Sequence, residues 1–114
     1  MPDFMTKEQK MAQKAYALIS SRQNESDFDD YKSFALAFPS LIHTCGLVQA
    51  VAFACAKKKN KYVEDLQAVF NEIDTGNLQT RSREAPIMEY MRISRHALAA
   101  ASLLKRYCQA AGGD

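Results

Sequence analysis

Residues 38–59, FPSLIHTCGLVQAVAFACAKKK, run almost without interruption through apolar side chains and then end on three lysines. The most apolar part, 46–56, is about half the length that a bilayer-spanning helix requires. No membrane span is therefore expected. A helix that is apolar nearly all round must instead be enclosed by other elements, so the rest of the chain has to supply amphipathic partners. Four glycines and three prolines in 114 residues leave few tight turns for a sheet, and abundant Ala, Leu, Lys, Gln and Glu favour helices. The expectation is an all-α chain, a compact bundle of about five helices with a central apolar helix and a long C-terminal one. At this length it forms a single domain, 1–114, with an ordered core over about 5–110.

Periodicity supplies the partners. Over 5–22, Met11, Ala12, Ala15, Leu18 and Ile19 recur at helical spacing, and Lys7, Lys10 and Lys14 fall on a separate stripe. Ser26 with Asp29 resembles a capping box for a second helix, whose broad apolar face is Phe28, Tyr31, Phe34, Ala35, Phe38, Leu41 and Ile42. Pro39 lies inside it and either kinks or restarts it. Cys45 and Gly46 mark a corner before the central helix, 47–57. A fourth helix, 62–73, turns Tyr62, Leu66, Val69, Phe70 and Ile73 inward. Residues 74–85, DTGNLQTRSREA, lack apolar periodicity and read as an exposed loop. Pro86 opens a last helix to about residue 110, with Ile87, Met91, Leu98, Ala101, Leu104 and Cys108 as its core stripe and a frayed tail beyond.

His43 and Cys45 raise the question of catalysis. Two residues apart on a helix they point to different sides, and neither an orienting group nor an oxyanion site accompanies them. A cysteine-dependent enzyme at Cys45 is the unfavoured alternative, since cysteines in apolar runs mostly serve as small hydrophobes. Metal binding is weaker still, because the two His and three Cys stand at 43, 45, 55, 96 and 108 without ligand spacing. Three cysteines with no CxxC pair and no leading secretion signal suit reduced thiols in the cytoplasm. No P-loop or GxGxxG is present, and no cofactor is expected.

The basic residues remain. Net charge is +2, and the second half is the more basic: 57–114 hold ten Lys and Arg against seven acids, whereas 1–56 hold five against six. Lys7, Lys10 and Lys14, the corner lysines Lys57, Lys58, Lys59 and Lys61, and Arg92, Arg95, Lys105 and Arg106 on the last helix are the candidates for phosphate contact. Lysines on an outward helix face more often serve solubility. A helical protein adaptor without RNA contact is the competing reading.

Several of these elements together resemble a known family. YKSFALAFPSLIHTCGLVQAVAFA, with Pro39-Ser40-Leu41-Ile42, Gly46-Leu47 and Gln49-Ala50 in order, is similar to the central signature of the small subunit of the type III-B (Cmr) CRISPR effector complex, the fifth Cmr protein family. EQKMAQKAYALI resembles its opening helix and IMEYMRISRHALAAASLLKRYCQA its closing one, so the resemblance covers about 5–110 and is weakest over 74–85. Cys45 departs from it, since a polar residue such as Asn often precedes the glycine there. The resemblance implies a non-catalytic helical subunit for antiviral defence that stacks along paired guide and target RNA. Its implied partners are other Cmr subunits, guide RNA and target RNA, with self-association among copies. Base pairing would supply the sequence specificity, leaving positive surface and shape to this protein.

Overall fold

The computed structural model describes residues 5–111, which form six helices and no strand. Thr6 opens α1 (Lys7–Arg22) with a capping box: its side chain accepts from the Gln9 N–H, and the Gln9 side chain accepts from the Thr6 N–H. The box expected at Ser26 and Asp29 is absent, a correction to the reading above. Asp27 holds the N-cap position of α2 (Phe28–Cys45) without capping it, because its carboxylate is taken by Lys61 at 3.0 Å. Pro39 lies inside α2, which continues past it to Cys45. Gly46 then ends α2 and begins α3 (Leu47–Ala56): its N–H reaches Ile42 O, its carbonyl accepts from Ala50, and its φ of 86° suits only glycine.

α4 (Asn60–Phe70) and α5 (Leu78–Glu84) follow, and α6 (Ile87–Ala111) crosses the molecule, packing on α1, α2, α4 and α5. With a shortest extent of 19 Å, the molecule is about two helix diameters thick. At its centre Tyr62 meets Phe38, Phe34 and Tyr31 at ring separations of 5.1, 5.3 and 5.8 Å in edge-to-face arrangements. Beneath α4, Asp65 is 2% exposed and takes both Nε and Nη2 of Arg22, at 2.9 and 3.1 Å, together with the Tyr31 hydroxyl at 2.6 Å. This buried carboxylate ties α1, α2 and α4 together.

Three further expectations need correction. The segment 74–85 is not a bare loop, since α5 occupies its second half, capped by Asn77 and anchored by buried Leu78 and Ser82. One anchoring leucine in seven residues is too little for periodicity to register. α3 is not enclosed: α2, α4 and α5 cover one side, and in a two-layer molecule Val48, Ala52, Phe53 and Ala56 stay exposed on the other. The core stripe of α6 is Ile93, Ala97, Ala100, Ala101, Leu104 and Cys108, whereas Ile87 and Met91 are exposed. The large side chains near its start lie roughly 100° from a face half made of alanines, which let neighbouring helices approach closely. The tail 112–114 lies outside the described residues. No described helix is long and apolar enough to cross a membrane.

Candidate nucleic-acid interface

The corner between α3 and α4 is built by the lysine run itself. Lys58 N–H donates to Cys55 O and Lys59 N–H to Ala54 O, the paired bonds of a Schellman helix stop. That stop needs a left-handed residue, normally glycine, and here Lys58 takes it at φ 57°. Holding a lysine in this conformation costs about 1 kcal/mol. Lys58→Gly is accordingly expected to raise unfolding stability by about 1 kcal/mol in urea titration, and no gain would mean that the left-handed lysine is unstrained.

Around the corner the lysines sit on aromatic rings. Lys57 Nζ lies 5.6 Å from the centre of the Phe53 ring and Lys59 Nζ 5.6 Å from that of Phe34. The two rings are nearly parallel, 10° apart, with centres separated by 6.3 Å. They line an open groove of about 540 Å³ between α2 and α3, continuous through Asp30, Phe34 and Lys59 with a second hollow of about 400 Å³ at the start of α4. Lys57, Lys58 and Lys59 have no carboxylate partner among the described residues, unlike Lys61, which is held by Glu25 and Asp27. Phe34 and Phe53 were not among the site residues the sequence nominated. The signal was there in Phe53 and Lys57, four apart, which places a cation over a ring on the same helix face.

On α6 the structure separates the arginines. Arg95 and Arg106 are exposed on one stripe without an acidic partner among the described residues, whereas Arg92 Nε lies 3.6 Å from Asp74. Asp74 is the hub of this end of the molecule. Its carboxylate accepts from Arg81 Nη1 at 2.7 Å and from the Thr75 N–H at 2.8 Å, and lies 2.7 Å from His96 Nδ1. Burial pushes its pKa up, but the hydrogen bonds from Arg81, Thr75 and His96 outweigh that and hold it well below the usual carboxylate range. Arg81 also reaches Thr75 O and Glu89, so α5 is fastened to α6 through one guanidinium.

Lys7, Lys10 and Lys14 are exposed on α1, away from its buried Met11, Ala15 and Ile19. Lys105 is half-buried and lies roughly 100° round α6 from Arg106, off the arginine stripe. The candidates thus form separate surfaces, and only at the α3–α4 corner do they meet a concavity: Lys58 and Lys59 line it, and Lys57 lies over the Phe53 ring at its edge. His43 and Cys45 are both exposed and share no hydrogen bond, so the corner does not assemble a nucleophile with a base. Cys108 is buried, and desolvation pushes its thiol up to about 11. No three described His, Cys, Asp or Glu residues gather as a metal-binding group.

Comparison with known proteins bears on the whole chain. The family described as CRISPR-associated protein (Cas_Cmr5) matches residues 7–111, which contain all six helices. The CRISPR system Cmr subunit Cmr5 of Thermus thermophilus is 35% identical over 108 residues, covering 92% of this chain and 95% of that protein. The crystal structure of a CRISPR-associated Cmr5 family protein from the same organism superposes with a TM-score of 0.85 at 34% identity, covering 93% of this chain and 97% of the other. With sequence and fold agreeing from the first helix to the last, the chain belongs to the Cmr5 family, that of the small subunit of type III-B (Cmr) CRISPR systems.

Proposed function

We propose that this protein is a non-catalytic structural subunit of a Cmr RNA-guided complex, lying along guide and target RNA and holding RNA backbone through its lysines and arginines. The supporting observation is family membership over nearly the full chain. The basic surfaces suit the role, since Arg95, Arg106 and the corner lysines are exposed or half-buried without acidic partners among the described residues. A net charge of +2 gives one copy few phosphate contacts, so firm retention belongs to several copies in an assembly. Other Cmr subunits and neighbouring copies are its partners in this reading, in the cytoplasm.

Reversing Arg92, Arg95 and Arg106 to Glu is expected to lower target-RNA retention by the assembled complex at least about 10- to 100-fold and to flatten its salt dependence by about two units of slope for each copy in contact. Filter binding over a salt series measures both. Unchanged retention would remove the α6 face from the RNA path. A protein adaptor without RNA contact is the second reading, favoured by Ile87, Met88 and Met91, which are 69%, 78% and 51% exposed beside that face. In that case the reversal would release the subunit from its protein partners, and purified complexes would lack the chain.

A further inference from the structure

We propose that the groove between α2 and the α3–α4 corner receives an unstacked base of single-stranded RNA on the Phe53 ring, with Lys57, Lys58 and Lys59 on the adjoining phosphates. The inference rests on the RNA-adjacent reading above and deepens it by naming a site and the form of RNA that fits it. Phe53 is 43% exposed, and its near-parallel neighbour Phe34 backs it within the same concavity. A duplex keeps its base faces stacked inside, so an aromatic platform in a hollow can be used only by a base that has left the stack. About 540 Å³ is within the range of small-ligand sites.

The lysines complete the arrangement. Lys57 and Lys59 cover the two rings when nothing else does, a weak surface interaction that an arriving base displaces, freeing both ammonium groups for phosphate. Lys58 is the independent sign. A helix stop of this kind favours glycine, yet the chain keeps a lysine in the left-handed conformation beside the groove, and such strain concentrates at functional positions. Asp30, on the α2 wall of the groove, repels phosphate, which favours a strand with its backbone toward the lysine corner.

The chain contains no tryptophan, so Phe53→Trp introduces a single fluorophore at the platform. Full-length Phe53→Trp protein would be titrated at low salt, to millimolar concentration, with single-stranded oligouridylate and with an RNA duplex of equal length. Both tryptophan emission and the anisotropy of labelled RNA would be followed. The proposal predicts quenching by the single strand, little by the duplex, and affinity about 5- to 100-fold lower for Phe53→Ala, with Phe53→Tyr close to wild type. Binding seen by anisotropy without quenching, and insensitive to Phe53→Ala, overturns the groove while leaving the proposed function standing. No binding of the single strand at any concentration also overturns it, and target retention by the assembled complex then judges the broader reading separately. If Phe53→Ala instead releases the subunit from its complex with the RNA titration unchanged, the groove holds a protein segment and the proposal fails.

Discussion

Replacing Asp65 with alanine is expected to destabilise the protein by about 2–4 kcal/mol, because it leaves a largely buried guanidinium with only Glu25, at 3.4 Å, and removes the acceptor of a buried hydroxyl. Arg22 is only 17% exposed at its side chain and aims two nitrogens at Asp65, while the Tyr31 hydroxyl is 2.6 Å from the same carboxylate. The Asp65 hydrogen bond is the main cause that raises the Arg22 pKa, and for Tyr31 desolvation comes first, followed by the Asp65 charge; both groups are held in their protonated forms. Urea unfolding followed by circular dichroism measures the loss. Replacing all three groups, by Arg22→Met with Asp65→Leu and Tyr31→Phe, should cost far less than the single alanine, since both charges and the hydroxyl then leave the interior. A single Asp65→Ala loss below about 1 kcal/mol would mean that the three groups are held by something other than each other.

Asp74→Ala is expected to cost about 2–4 kcal/mol, and the damage should be local. It removes the acceptor shared by Arg81, Thr75 and His96, which fastens α5 and the turn before it to α6. Gln67 retains its bonds to Leu78 N–H and Gly76 O, and Arg81 retains Glu89, so the segment loosens without detaching. Amide hydrogen exchange should therefore accelerate over 78–84 well before the α6 core opens, and uniform acceleration along the chain would contradict this. The pH dependence follows the depressed Asp74 pKa. Its folded value lies below the ordinary 3.8, so its contribution is complete above about pH 4 and is lost as pH falls toward the folded value. Acid titration of the wild type should show this loss, and Asp74→Ala should lack it.

These two hubs mark what the sequence left hidden. The helices over 5–45, the corner at Gly46 and the inner face of α4 as far as Phe70 were legible because large apolar side chains recur there at helical spacing, although Ile73 lies in the turn beyond the helix rather than on that face. Asp65 and Asp74 bind partners at separations of up to 43 residues, which no local pattern encodes. The alanine face of α6 was obscured because Ile87, Met88 and Met91 dominate its first turns, although all three point away from the core. In the candidate site the lysines could be nominated from their run alone. That they wrap around Phe53 and Phe34 depended on α2 reaching across to α3, and the left-handed Lys58 depended on how α3 stops.

The claim that this subunit lies against RNA is tested most directly by ultraviolet crosslinking of an assembled Cmr complex containing this chain, loaded with guide and 4-thiouridine-substituted target RNA. Crosslinked peptides would be mapped by mass spectrometry. The account predicts adducts on this subunit, concentrated on the peptides carrying Phe53 to Lys61 and Arg92 to Arg106. Adducts confined to the other subunits, in complexes that retain this chain at full occupancy, would contradict it.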